Sequence, residues 1–526
     1  MKIEPGLAIA TAATQYAERT ALVTDDGQET YFELNRQANK AGSAIADRLK
    51  IPRGSAIGVL SYNRREIVHC WLGFDKFGFP RVALHAHLPI QTHIATLRAA
   101  KARVLVFDVR FAQAIAEHLD ALKALHLVGI GAEHEVPGWA TPFATLLDQA
   151  SDEEPHFEVD DDAPYYLQPT SGTTGMPKLW EMSHRAWLAM VSQNLEHLDS
   201  FGPNAGSLSK DDVCLHFHSL QWCSGAHNLY PHIVRGARNV ILDDERFDPG
   251  RVVDAIVRHG VTNAFVPGPL LPQLLDEIES RGGIEHCLRR LIVFFATPEL
   301  LQRTSRLLGD VWCHAYGVTE MGGVATRLLW SDVEDDERRW GSIGRPASFL
   351  FQLDVVNDLG ERQAPGEVGE IRARSPMSRG RYVDRLDLSA LDANDWFKPR
   401  DLAYMDECGF AYYVDRCTDV ININGRTVYP HTVEEQILAH PSVRQCGVVA
   451  VRIGGVDRLV AGVALRPGAE SGDAMAAEIR LAGCKRLKPH ETLHAVFILD
   501  ELPTVLSGAK VRRADLQAQL TARHAG

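Results

Sequence analysis

The nine cysteines of this 526-residue chain are scattered without a single Cys-x-x-Cys pair. An odd count with that spacing offers no paired disulfide framework and no zinc-ribbon pattern, so reduced thiols are expected. Basic charge is also scarce: 55 Lys and Arg stand against 68 Asp and Glu, a formal net charge of -13. Such a chain has no broad cationic surface for DNA or RNA, and only local basic clusters can meet an anionic ligand. Long apolar runs are missing too. No uncharged stretch is long enough to cross a bilayer, and the opening Met1-Lys2-Ile3-Glu4-Pro5-Gly6 has no basic segment leading into an apolar one. A cytoplasmic protein without a membrane span is expected. Repeats and low-complexity linkers are likewise absent. With 45% hydrophobic and 23% charged residues the composition is that of a folded globular protein, and the length exceeds what one hydrophobic core organises, so at least two domains are expected.

What is present is an alternation of short apolar runs with amphipathic stretches. The runs at 56–60, 104–107, 240–242 and 291–295 read as buried strands, and their alternation with helices predicts α/β layers around largely parallel sheet. After about residue 340, Gly341-Ser342-Ile343-Gly344-Arg345-Pro346 and Pro365-Gly366-Glu367-Val368-Gly369-Glu370 punctuate short strands, predicting a compact β-rich subdomain. A last unit starts near Arg416, with a helix over 432–438, a strand over 446–451 and a polar C-terminal helix. The expected division is 1–415 and 416–526, a large N-terminal domain of two α/β layered subdomains plus a small β-rich one, then a small mobile α+β domain.

The strongest chemical signal is Thr170-Ser171-Gly172-Thr173-Thr174-Gly175-Met176-Pro177-Lys178. Glycines let backbone N–H groups approach an anion, hydroxyls donate further hydrogen bonds, and Lys178 adds a mobile positive charge, a combination suited to nucleotide phosphates. No Gly-Lys-Ser/Thr closes the segment, so it is not the P-loop of that NTPase class. Two His-x-His pairs, His85/His87 and His216/His218, raise the question of a metal, but neither has a cysteine neighbour or a helical His-Glu-x-x-His companion, and polar pocket walls are the expectation. Cys313 beside His314 is read as a buried thiol rather than a nucleophile.

An ordered set of segments resembles the adenylate-forming superfamily of acyl-CoA and aryl-CoA synthetases, luciferases and peptide-synthetase adenylation domains. It comprises Thr30-Tyr31-Phe32-Glu33-Leu34, the 170–178 loop, Tyr316-Gly317-Val318-Thr319-Glu320, 341–346, Asp401 after Trp396-Phe397, Asp415-Arg416-Cys417-Thr418-Asp419, and 425–430. The resemblance implies two half-reactions: a carboxylate and ATP give acyl-AMP and pyrophosphate, then a thiol displaces AMP after the small C-terminal domain rotates. It implies that Thr170, Ser171, Gly172, Thr173, Thr174, Gly175 and Lys178 cradle phosphates, that Ala296, Tyr316 and Gly317 bind the nucleotide, Tyr316 with an aromatic face for adenine, and that Asp401 accepts the ribose hydroxyls. Arg416 would contact ribose or phosphate, Thr319 and Glu320 would serve the phosphates, and Glu320 would hold their magnesium ion. Thr418 stands two residues beyond that arginine, where relatives carry a hinge Asp or Lys. Gly425, with Arg426, matches the glycine passed by the pantetheine arm of CoA. His218, Trp222, Gly225 and Phe265 lie in the segments that build the acid pocket. ATP or AMP, CoA and magnesium are the implied ligands, a carboxylic acid or its adenylate the implied partner, and the oligomeric state stays open, a homodimer included.

Two departures concern adenylation. Relatives end in Ser-Gly-Lys, whose lysine bridges the substrate carboxylate and the α-phosphate, whereas this chain reads Ser507-Gly508-Ala509-Lys510-Val511-Arg512. An ungapped alignment anchored on Pro503 and Arg512 puts Ala509 at the lysine position. Loss of one preorganised donor at a pentavalent phosphorus typically costs ~10²–10³ in rate, which would bias the enzyme toward thioesterification. Lys510 acting through a one-residue slip would instead restore an ordinary two-step ligase, and a non-catalytic adenylate-binding or carrier-interacting protein is a third alternative. The second departure is Leu179-Trp180 in place of the glycine after the loop lysine, bulk that either crowds the triphosphate end or packs in the core. The acid pocket, apolar and without an evident cation, points to a bulky apolar carboxylic acid such as a polycyclic or aryl acid.

Overall fold

In a computed structural model the protein is described over residues 1–170, 178–202, 204–383, 390–423, 425–505 and 510–525. The apolar runs form the expected buried strands, with a refinement of one or two residues at their ends: Ile57–Leu60, Val104–Asp108, Arg238–Ile241 and Arg290–Phe294. Val104–Asp108 is buried at every position, as a strand covered on both faces requires.

Two large sheets organise the chain up to residue 346, with Gly380–Tyr382 added at one edge. In the first, Pro164–Thr170, Arg81–Leu84, Ile57–Leu60, Val104–Asp108, His126–Ile130 and Thr141–Pro142 lie side by side in parallel, and antiparallel strands Lys178–Ser183 and Gly380–Tyr382 extend one edge. The second has a parallel centre of Trp312–Tyr316, Arg290–Phe294, Asn263–Pro267, Val213–His216, Arg238–Ile241 and Thr20–Thr24, with antiparallel strands at both edges. Crossover helices are written locally in the sequence. Pro249–His259 begins with Asp248 accepting the Arg251 amide and Pro249 in the first turn, ends at Gly260 with φ 61°, and buries Val252, Val253, Ala255 and Ile256 along one stripe. The Thr30 to Leu34 segment is a capping box: Thr30 Oγ1 accepts from the Glu33 amide at 3.2 Å and Glu33 Oε2 accepts from the Thr30 amide at 2.8 Å.

The β-rich part after residue 340 is an antiparallel sheet of Gln352–Val356, Gly369–Arg374, Asp401–Met405 and Ala411–Arg416. Beyond Arg416 the chain builds a separate core. Helix Pro430–Leu438 packs on a three-stranded sheet, Val443–Ile453, Val456–Leu465 and Ala495–Ile498, through Val433, Ile437, Val448 and Ala461. Among the described residues no helix is long and apolar enough to cross a membrane.

Candidate functional site

A cavity of about 1120 Å³ opens beyond the carboxyl ends of the parallel strands of the second sheet, the usual place for ligands in such folds. Strand Trp312–Tyr316 delivers Tyr316, Gly317, Thr319 and Glu320 to its wall, and strand Arg290–Phe294 delivers Phe294 and Ala296. The hairpin Pro164–Thr170 and Lys178–Ser183 brings Thr170 and Lys178 opposite one another as its last pair before the connecting residues, both on the cavity. Ser171, Gly172, Thr173, Thr174 and Gly175 lie outside the described residues.

The centre of the site is Asp401, 2% exposed. Tyr316 Oη donates to its Oδ2 at 2.6 Å, and Arg416 Nε, directly across the antiparallel pair, stands 3.4 Å from Oδ1. Burial works against the Arg416 charge, yet Asp401, Tyr413 and Asp419 together hold its pKa above the ordinary value. A carboxylate held between a phenol and a guanidinium on a cavity wall can accept hydrogen bonds from a diol. Glu320 is also buried; Tyr382 Oη donates to its Oε1 at 2.7 Å, and Lys178 Nζ lies 5.1 Å from the Tyr382 ring centre. Burial pushes the Glu320 carboxyl up, opposed by the Tyr382 hydroxyl and the Lys178 charge.

His218, Trp222 and Phe265 line the opposite part of the cavity. Phe265 stacks obliquely between His218 at 4.6 Å and Phe294 at 5.2 Å, while Trp222 lies flat on His85 at 3.7 Å. Gln168 fixes that His85 ring, its Nε2 lying 2.8 Å from His85 Nε2. Gly225 does not line the cavity: it packs against the Leu220 backbone so closely that a Cβ would meet Leu220 Cα at 2.6 Å, a packing reason for glycine. Leu179 and Trp180 are 2% and 0% exposed and line no part of the cavity. Trp180 packs on Tyr382 and against Gly380, so its bulk supports the hairpin rather than crowding the nucleotide. His216 is tied to Asn239 at 3.0 Å, and burial pushes the Cys313 thiol up to about 12.

From the C-terminal part, Thr418, Asp419, His431, Val511 and Arg513 reach the cavity. Thr418 sits in an exposed turn, its hydroxyl donating to Asp419 Oδ1 at 2.9 Å. Arg513 binds Asp419 at 3.2 Å, Glu434 through both carboxylate oxygens, and the Val448 carbonyl at 2.9 Å, which locks the start of the last helix to the turn after Arg416. Gly425, φ 78°, and Arg426 lie on an exposed hairpin that does not line the cavity. The backbone of Lys510 pairs with Val505; its side chain and Ala509 lie outside the described residues.

The family profile of AMP-binding enzymes matches residues 9–383, and that of the AMP-binding enzyme C-terminal domain matches 432–509. The chain belongs to the AMP-binding enzyme family. Within this adenylate-forming superfamily it is similar to a medium/long-chain-fatty-acid–CoA ligase, FadD8, of Mycobacterium tuberculosis, 29% identical over 93% of this chain and 89% of that protein. Its fold is similar to that of an anthranilate CoA ligase, AuaEII, solved with anthranoyl-AMP, with TM-score 0.87, 21% identity, and 99% and 98% of the two chains covered. It is also similar to o-succinylbenzoate CoA synthetase of Bacillus subtilis solved with its acyl-adenylate, with TM-score 0.83, 25% identity and 98% of each chain covered.

Sequence reading missed Tyr382 and Gln168, because each acts through a partner distant in the chain or hidden behind an aromatic. The histidines carry a consequence for stability. Burial pushes His85, His216, His218 and His227 down to about 3 and His314 to about 4, so the folded state holds them neutral. Unfolded, they take up protons below about pH 6.5. Their contribution is therefore fully present above that pH and is lost as pH falls toward about 3, or about 4 for His314, at roughly 1.4 kcal/mol per unit for each group in the window. Thermal unfolding at several pH values between 7.5 and 4.5 should show a steep fall in Tm below 6.5; a flat profile would contradict the buried-neutral assignment.

Proposed function

We propose that the protein is an acid–thiol ligase of the AMP-forming type that converts a bulky apolar carboxylic acid to its CoA thioester through an acyl-adenylate, with the thioesterification step favoured over adenylation. The observation that carries this reading is Asp401, a buried carboxylate presented to a large cavity between Tyr316 and Arg416, an acceptor fitted to the two hydroxyls of a ribose. In the first half-reaction a carboxylate oxygen of the acid forms a bond to the α-phosphorus and pyrophosphate leaves. In the second, the thiol sulfur bonds to the acyl carbon, AMP leaves, and the thiol proton is lost to solvent.

Tyr316 and Asp401 orient the nucleoside, while Lys178 and Arg416 supply positive charge to the phosphates. The buried Glu320 carboxylate beside Lys178 and Thr170 has the oxygen chemistry to hold magnesium, which, bound with the nucleotide, supplies charge neutralisation at its phosphates. The acid lies against Phe265, Phe294 and Trp222, beside the neutral His218, and no side chain described on that wall carries a positive charge to hold a second carboxylate.

We place the domain boundary at Arg416 and the hinge at Thr418. In the present arrangement Val511 and Arg513 face the cavity and Gly425 does not, which suits the adenylation step. Passing pantetheine over Gly425 requires rotation of the segment beyond Arg416. Alanine stands at the position that aligns with the family's lysine, which removes a cation from the adenylation step, and a preformed adenylate, already activated by its phosphate leaving group, demands less of the protein. The test is a pair of assays across a panel of aryl and fatty acids: pyrophosphate release from acid, ATP and magnesium, and thioester formation from synthetic acyl-adenylate and CoA. Slow pyrophosphate release with fast thioester formation is expected. Ordinary ligase rates of pyrophosphate release would remove the thioesterification bias, and silence in both assays would remove the ligase assignment.

A further inference from the structure

The cavity runs well past Asp401 and the acid-facing aromatics. The strands Trp312–Tyr316, Arg290–Phe294, Asn263–Pro267, Val213–His216 and Arg238–Ile241 are neighbours in that order, and at or just beyond their carboxyl ends Tyr316, Phe294, Pro267, His218 and Asp244 all line it. Four strand spacings of roughly 4.8 Å put about 19 Å between the Tyr316 end and the Asp244 end. Phe265 and Phe294 occupy the middle, so the wall continues for two more strands beyond them. His87, in the loop after strand Arg81–Leu84 of the first sheet, lines the cavity at that far end. Its Nε2 lies 3.1 Å from the Asp244 backbone carbonyl; a carbonyl only accepts, so Nε2 carries the proton and Nδ1 of the neutral ring is an acceptor. Among the described residues Nδ1 has no hydrogen-bond partner. The ring stands edge-on to Tyr62 at 5.5 Å, and the side chain remains 39% exposed.

The surroundings of His87 are fixed and acidic. Asp244 is 7% exposed, and its Oδ1 accepts the Asn63 amide at 2.6 Å. Asn63 in turn donates to the His218 carbonyl at 2.9 Å and accepts the Leu220 amide at 2.8 Å, which clamps the far end to the acid-facing loop. Asp244 Oδ2 stands 4.0 Å from His87 Nε2. Arg110 commits its guanidinium to Asp108 at 2.8 Å, Asp243 at 2.9 Å and Glu245 at 2.7 Å, and Arg64 commits its own to Glu66 and Asp108. Asp108, Asp243, Asp244, Glu245 and Glu66 thus outnumber two guanidinium groups, and neither guanidinium is left for an anionic ligand. We propose that the substrate is an elongated acid with a hydrogen-bond donor, a hydroxyl or an amine, at the end remote from its carboxylate, and that His87 receives that donor and determines specificity for it. The inference rests on the ligase reading above. A plain apolar tail leaves the ring nitrogen without a partner, and a second carboxylate meets uncompensated negative charge.

The test follows thioester formation by the full chain from CoA and synthetic acyl-adenylates, with AMP affinity measured separately. The acyl groups are straight chains of six to sixteen carbons and biaryl acids of similar span, each made plain and with a terminal hydroxyl, amine or carboxylate. Short groups should show no preference. Once the acyl group is long enough to reach His87, the hydroxyl or the amine form should exceed the plain form in kcat/KM by about tenfold, the contribution of one hydrogen bond to an otherwise unpaired group, and the carboxylate form should be the poorest. His87→Leu should bring the ratio to within about twofold, and His87→Asn, which keeps an acceptor oxygen, should restore part of it; Tm reports that both variants fold. Equal kcat/KM for plain and donor-bearing groups at every length would overturn the proposal, as would a preference that survives in His87→Leu or one for the terminal carboxylate. Thioester formation without discrimination removes this inference alone. Failure of the wild-type protein both to bind AMP and to form any thioester removes the ligase reading, and this inference with it.

Discussion

Ala509→Lys is expected to raise pyrophosphate release at least about tenfold, toward the ~10²–10³ that one preorganised donor contributes to such a transition state. The reasoning is electrostatic. As the acid oxygen closes on the α-phosphorus, negative charge spreads over the phosphoryl oxygens, and a cation held there in a water-poor cavity stabilises that charge far more than it stabilises ATP. The tail residues Val511 and Arg513 face the cavity, and Arg513 is held by Asp419 and Glu434. Thioester formation from synthetic acyl-adenylate should change by less than about threefold, since that step needs no donor at the α-phosphorus. Lys510→Ala should leave pyrophosphate release nearly unchanged. If Lys510→Ala abolishes it and Ala509→Lys adds nothing, Lys510 is the operative cation and the enzyme is an ordinary two-step ligase.

Most of the architecture was legible because it rests on local rules. Strand cores such as 104–107 are short apolar runs flanked by charged residues, here Arg103 and Asp108, and the helix at 249–259 carries its cap, its proline and its terminal glycine within thirteen residues. The Tyr316 to Glu320 segment is recognised through its resemblance to the family's Tyr-Gly-x-Thr-Glu and not through any local rule; the structure places it at the carboxyl end of a parallel strand, on the cavity. Residues that act through another side chain were not legible. Tyr382 meets Glu320 across 62 positions, and Gln168 reaches the cavity only through His85 and Trp222. Side-chain direction was the other gap. Leu179 and Trp180 read equally well as cavity or core, and only the pairing of Lys178–Ser183 with Gly380–Tyr382 puts Trp180 against Tyr382. Gly225 sits in the right segment but on the helix side that packs against Leu220.

Asp401→Ala should weaken AMP binding by roughly 10²-fold or more, the loss of two hydrogen bonds to a charged acceptor at about 1.5–3 kcal/mol each. The same change removes the acceptor of the Tyr316 hydroxyl and the carboxylate facing Arg416, so unfolding free energy should fall by about 1–3 kcal/mol. These two effects separate by substitution. Tyr316→Phe deletes the 2.6 Å hydrogen bond but leaves the carboxylate, and should lower stability by about 1 kcal/mol with a smaller loss of AMP affinity. Asp401→Asn keeps an acceptor oxygen without the charge and should fall between wild type and alanine. Because Arg416 is the last residue of its strand and the turn carrying Thr418 follows at once, the carboxylate proposed to read the ribose is paired with the residue that opens the proposed hinge. Loss of Asp401 should therefore also unlink nucleotide from rotation: limited proteolysis in the 417–420 turn, altered by AMP in the wild type, should become insensitive to AMP in Asp401→Ala even at saturating ligand. AMP affinity within threefold of wild type in Asp401→Ala would show that the ribose is held elsewhere, and the nucleotide site would have to be rebuilt around other residues.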